Sequence, residues 1–137
     1  MPVAEEDAAA SGGPLRKLCF MVLHCGAGGL DECTIPVLHA LTASAMECEV
    51  EMHFIGPGVR LLAASIADGV PAKPNTRPLG ALLEDARASG ISMFACTSAW
   101  KAHAHAGATL AAHSAGFAGA ATYLGRALDP SWRVLHY

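Results

Sequence analysis

Apolar and polar positions along the chain change period several times, and each change marks an element. Leu18 to Leu23 is an unbroken apolar run, preceded by Arg16 and Lys17 and followed by Gly26-Ala27-Gly28-Gly29. Such a run predicts a strand covered on both faces, as in a parallel sheet. From Leu30 to Met46 the apolar residues Leu30, Val37, Leu38, Leu41 and Ala45 recur at helical spacing, with Asp31 and Glu32 near the start, where the helix dipole favours acids. Pro36 sets the beginning of the helix proper near Thr34, with the proline in its first turn. Cys48 to Ile55 then alternates, with Cys48, Val50, Met52 and Phe54 on one side and Glu49, Glu51 and His53 on the other. That is the pattern of a half-exposed strand. Gly56-Pro57-Gly58 turns the chain into a short amphipathic helix from Val59 to Ala67, ended by Gly69.

Val70 to Arg77 carries two prolines and an asparagine and reads as a loop. Pro78 opens a helix running to about Ser89, where Gly90 supplies the stop. Ile91 to Ala95 is a third short apolar strand with Cys96 at its end. Thr97 and Ser98 are good N-cap residues for a long alanine-rich helix that continues to about Ser114. Phe117 to Ala121 predicts a short strand, Thr122 to Leu128 a helix and Trp132 to Tyr137 a last strand. The alternation of strands and helices predicts an α/β fold, a three-layer α/β/α sandwich around a mostly parallel five-stranded sheet.

Composition narrows the classes of function. The 137 residues suit one domain, here 15–137, with 1–14 (MPVAEEDAAASGGP) as a disordered tail. A net charge of −3 gives no basic field, so no nucleic-acid partner is expected. No apolar run reaches the roughly 18 residues of a membrane helix, and the start of the chain lacks the basic and apolar regions of a secretory signal. The reading is therefore a soluble cytoplasmic protein. Its five cysteines, Cys19, Cys25, Cys33, Cys48 and Cys96, form no CxxC pair, and no structural disulfide is expected.

Ligands of open parallel sheets gather beyond the carboxyl ends of the strands, and two cysteines fall at such ends. Cys96 closes the third strand, where its thiolate would feel the unpaired N–H groups of the helix that follows. Ser98 and Lys101 are supporting candidates, the first as a hydrogen-bonding hydroxyl and the second as a nearby cation. Cys25, which opens the glycine loop, is a possible second thiol. Cys19, Cys33 and Cys48 need only packing to explain them.

Other chemistries fit poorly. The loop from Gly26 fails the dinucleotide pattern, since Asp31 stands where a third glycine is needed, and no P-loop exists. His103 and His105, two apart on a helix, point about 200° from each other and cannot share one ion. A metal site of Cys96, His24 and His103 or His105 remains an alternative, with exposed histidines of a polar face as the plainer reading. No metal and no cofactor are expected, and no carboxylate pair suits acid–base work.

The strand, cysteine and helix in ISMFACTSAW, preceded by PLGALLEDARASG and followed by AGFAGAATYLGRALDPSWRVLHY, together resemble the DsrE/DsrF-like (YchN-like) sulfur-relay family. KLCFMVLHC is similar to the family's first strand, EVEMHFIGPGVRLL to its second strand and turn, and RVLHY to its closing strand; the resemblance runs from about Lys17 to Tyr137. It implies a sulfur carrier that holds sulfane sulfur as a persulfide on the residue matching Cys96. It also implies partner proteins that donate and accept that sulfur, and assembly as a homotrimer or homohexamer. The Thr97-Ser98-Ala99-Trp100-Lys101 stretch departs from the small residues and arginines common after that cysteine in sulfur carriers. Competing classes are a thiol-redox protein, a metal-binding protein and a non-catalytic subunit of an assembly. Trp100, Phe117, Tyr123 and Trp132, in segments that a small sheet leaves at its edges, are expected to form the self-association surface.

Overall fold

The computed structural model describes residues 16–24, 30–69, 75 and 77–137; the 1–14 tail and Cys25 lie outside the described residues. Five strands are β1 (Lys17–Val22), β2 (Glu49–Phe54), β3 (Ser92–Cys96), β4 (Gly116–Ala118) and β5 (Trp132–His136). The helices are α1 (Thr34–Ala45), α2 (Ala64–Gly69), α3 (Leu79–Ala88), α4 (Thr97–His103) and α5 (Ala120–Leu128). The sheet order is β4-β3-β2-β1-β5 and all its pairings are parallel. Pro36 does lie in the first turn of α1, and Pro78 immediately precedes α3.

This order dictates how the helices are distributed. From β1 the chain adds β2, β3 and β4 in one direction, then returns past them to place β5 on the far side of β1. The first three crossovers share one face, where Phe20, Val22, Met52, Phe54, Met93 and Ala95 meet Val37, Leu83 and the Leu61-Leu62 pair in the main core. Among the described residues only α5 lies over the other face, above a smaller cluster of Cys19, Met21 and Trp132 that Tyr123 joins. The sandwich therefore has three unequal layers.

Several local expectations change. The alanine-rich helix ends at His103 and does not continue to Ser114: Ala104 is extended, with ψ 147°, and Gly107 adopts φ +76°. The segment finds better partners than its own turns. Leu110 bridges Ala63, Ala64 N–H donates to the Thr109 carbonyl (2.9 Å), and Ala111 N–H donates to that of Leu62 (2.7 Å). Tertiary pairing here overrides alanine's helix propensity. The helix expected over Val59 to Ala67 is a 3-10 segment, Gly56–Leu62, followed by α2. Gly58 packs so closely on β1 that a Cβ there would overlap the Val22 carbonyl oxygen, and this fixes the tight turn.

Strand β4 is shorter than expected, and α5 begins already at Ala120. The polar side of β2 is not open to solvent throughout: His53 is only 2% exposed, because Phe94 and Tyr123 cover its ring. His113 is buried as well, so the histidines are not simply those of an exposed face. Trp132 is also buried, beneath the cations of Lys17 and Arg126 at 5.7 and 4.6 Å from its ring, and Trp100 and Tyr123 are half-buried. Of the four aromatics assigned to a surface, Phe117 is exposed.

Candidate functional site

Helices α4 and α5 leave the sheet on opposite faces from neighbouring strands. Strand β3 feeds α4, whose Ala99 enters the main core, whereas β4 feeds α5 on the far face. In open parallel sheets the crevice that takes ligands forms at such a switch point, beyond the carboxyl ends of the two strands. Cys96 stands at its edge, the last residue of β3 and the register partner of Ala118 in β4.

Local geometry sets the state of the thiol. Cys96, not Thr97 or Ser98, is the N-cap of α4, with extended backbone (φ −66°, ψ 127°). Thr97, Ser98 and Ala99 are then the first three helical residues, whose N–H groups have no partner within the helix. The sulfur lies 3.4 Å from Ser98 Oγ and nine-tenths of the residue is buried. Burial pushes the Cys96 thiol up, but the Ser98 hydroxyl and the backbone N–H groups of Ala99 and Ser98 all favour the thiolate. Together they win, and the group ionises below the ordinary thiol value of 9.0. The sulfur closes no strict capping hydrogen bond in this rotamer; the N–H groups act as nearby oriented dipoles.

The surroundings hold α4 in place. Arg60 Nε donates to the His103 carbonyl at the helix end (2.9 Å), tying α4 to the 3-10 segment. Trp100 meets Phe117 of β4 edge to face at 5.7 Å, which braces α4 against β4.

A DsrE/DsrF-like family model matches residues 17–137. The chain belongs to the DsrE/DsrF-like family. The fold agrees with that of the ychN protein from E. coli, whose crystal structure aligns with a TM-score of 0.72 over 90% of this chain and 100% of that one. At 10% identity that likeness concerns the fold alone. Comparison with curated proteins finds no match.

In this DsrE/DsrF-like chain Ser98 meets the Cys96 sulfur, as its place in the sequence suggested. Lys101 is exposed on the second turn of α4, and its charge is not among the influences that set the direction of the thiol's shift. Cys25 lies outside the described residues. His103 ends α4 and His105 follows it in a turn, so the expectation of a shared helix for His103, His105 and His113 fails. Among the described residues, the metal-ligating side chains that do converge are Cys19, Glu51 and His53. Packing, the role expected for Cys19, leaves this convergence unexplained. The available signal was the Glu51-x-His53 spacing, which puts both side chains on one face of β2. No helix among the described residues is long and apolar enough to cross a membrane.

Proposed function

We propose that this chain is a sulfur carrier that holds sulfane sulfur as a persulfide on Cys96. The observation that supports it is the position of a thiol with a lowered pKa at the switch-point crevice of a DsrE/DsrF-like fold. In the loading step the Cys96 thiolate attacks the outer sulfur of a donor persulfide. A bond forms from Sγ to that sulfur, the donor's S–S bond breaks, and its electron pair leaves on the donor thiolate. Delivery is the same exchange run onto an acceptor thiol, so no external oxidant or reductant takes part. Ser98 Oγ and the N–H groups of Ser98 and Ala99 stabilise the anion at each stage.

Incubation with glutathione persulfide tests the reading by peptide mass. One added sulfur on the Cys96 peptide, lost to a small acceptor thiol and absent in Cys96→Ser, is the expected result. Sulfur distributed over all cysteines, or oxygen addition with no sulfur, would overturn it. The donor and acceptor are proteins in this proposal, acting in the cytoplasm, where fractionation should locate the chain.

Self-association as a trimer or hexamer belongs to the same proposal. Leu124 and Leu128 of α5, Leu135 of β5 and Phe117 of the edge strand β4 are all exposed. Sedimentation at micromolar concentration should give an oligomer, and a monomer throughout would refute the assembly.

A further inference from the structure

The sheet face under α5 carries polar groups for which sulfur exchange at Cys96 has no use. Cys19 in β1 and Glu51 in β2 are register partners, and His53 stands two residues further along the same face. Their ligating atoms, the Cys19 Sγ, a Glu51 carboxylate oxygen and a His53 ring nitrogen, all lie within 4.8 Å of one another. His53 is 98% buried, yet its Nε2 makes no hydrogen bond. The nearest carboxylate atom, Glu51 Oε2, is 3.6 Å away, too far for a hydrogen bond. That separation is within a few tenths of an ångström of the nitrogen–oxygen edge of a tetrahedron around one cation, roughly 3.3–3.4 Å for bonds of about 2.0–2.1 Å.

The carboxylate is already positioned for such a role. Arg126 of α5 grips it with two bonds, Nε to Oε2 at 2.6 Å and Nη2 to Oε1 at 2.9 Å. An ionised carboxylate offers about four lone-pair sites, so the grip leaves Oε2 a free direction. Outer partners of this kind commonly hold a metal ligand in orientation. His113 Nε2 is also buried without a hydrogen bond, but no three-ligand set gathers there among the described residues.

We propose that Cys19, Glu51 and His53 form a binding site for a zinc-class divalent cation, with Arg126 fixing the carboxylate. One thiolate, one imidazole and one carboxylate suit borderline-soft zinc and not magnesium or calcium. On binding, the Cys19 S–H proton leaves to solvent and its electron pair goes to the metal; neutral His53 binds through Nε2 and Glu51 through Oε2. The thiolate and carboxylate balance the ion's two charges. The fourth tetrahedral position falls to water or a small ligand. This site is separate from the sulfur-exchange crevice. Cys19 shares a row with Glu51 and Ser92, and Cys96 stands four residues beyond Ser92, roughly 13 Å along the strands.

Cobalt(II) loading of the full-length chain tests the assignment, because thiolate ligation gives a charge-transfer band and tetrahedral geometry an intense visible spectrum. In Cys96→Ser, one cobalt per chain should bind with both features, and zinc should displace it. Cys19→Ser should lose the charge-transfer band, His53→Gln should weaken binding at least about tenfold, and Arg126→Gln should weaken it about 10–100-fold. Circular dichroism of each variant separates loss of a ligand from loss of the fold. A Cys96→Ser protein that binds no cobalt overturns the proposal whether or not the other variants fold. So does a band that survives Cys19→Ser, or an affinity unmoved by His53→Gln.

Discussion

Cys96 and Cys19 are both nearly buried strand residues of one parallel sheet, yet their surroundings push the two thiols in opposite directions. Cys96 ends its strand and meets a hydroxyl and two backbone N–H groups, which overcome the effect of burial and favour the thiolate. Cys19 lies in the middle of β1. Burial there, reinforced by the Glu51 charge and only partly countered by Arg126, raises its thiol to about 11. At Cys19 burial dominates and the Glu51 carboxylate adds to it, whereas at Cys96 a hydroxyl and two N–H groups together outweigh burial. A sheet thus offers reactive thiols at strand ends and inert ones in strand centres, unless a cation arrives to replace the proton.

Native-state alkylation gives the widest contrast. With Cys96 below 9.0 and Cys19 near 11, the thiolate fractions at neutral pH differ by at least about a hundredfold, before the lower accessibility of Cys19 is counted. Iodoacetamide labelling followed by peptide mass should therefore mark Cys96 first. Comparable rates at the two sites would break the comparison.

Next in size is the effect of the Arg126 grip on the Cys19 side. Arg126→Gln strips Glu51 of its charged partner, and the expected loss is about 1–2 kcal/mol. That lies between an exposed pair and the roughly 3–5 kcal/mol of a fully buried one, because the guanidinium is about a third exposed and screened. The hydrogen bonds from Arg126 hold the Glu51 carboxyl below its ordinary value of 4.5, despite burial. Its stabilising share is therefore complete above that value and lost as pH falls through the lower folded one. Urea unfolding should show the variant's deficit at pH 7 and a shrinking deficit below pH 4.5. A deficit independent of pH would mean that packing by Arg126, not its charge, is what matters. His53 adds to the acid sensitivity of both proteins: burial lowers its pKa from 6.5, so the folded state resists the proton that the unfolded chain accepts, and stability falls once pH drops below 6.5.

Ser98→Ala is the smallest change and the sharpest probe of the Cys96 side. It removes the hydroxyl but keeps the two N–H groups, so the thiol should shift upward. Alkylation of Cys96 should slow several-fold, roughly three- to tenfold, at neutral pH and recover at alkaline pH. Unchanged pH–rate profiles would assign the lowered pKa to the backbone alone.

The strands and the place of Cys96 at the end of β3 were legible because parallel strands write themselves as short apolar runs, and Cys96 stands where such a run meets a helix. The reach of the alanine-rich helix was not legible. Nothing in HAHAGATL states that Ala63 and Leu62 offer competing backbone partners. The Cys19 cluster was hidden for a different reason. Alternation reports that Glu51 and His53 share a face, but not that a helix containing Arg126, 75 residues later, covers it. Polar residues alternating with apolar ones look the same whether they face water or a guanidinium.

The placement of β5 beside β1 has a consequence in time. Lys17 pairs with Trp132, and Glu51 waits for Arg126, so the groups that close the far face are synthesised after β1 to β4. While a chain grows from its amino end, β1 to β4 can assemble with β1 as an open edge and with Cys19, Glu51 and His53 uncovered. The long loop that must close before β5 docks makes this step slow relative to the local crossovers. Helix α5 and strand β5 therefore act as a latch on a nearly finished sheet, and the polar trio is sealed only after β1 to β4 have been made.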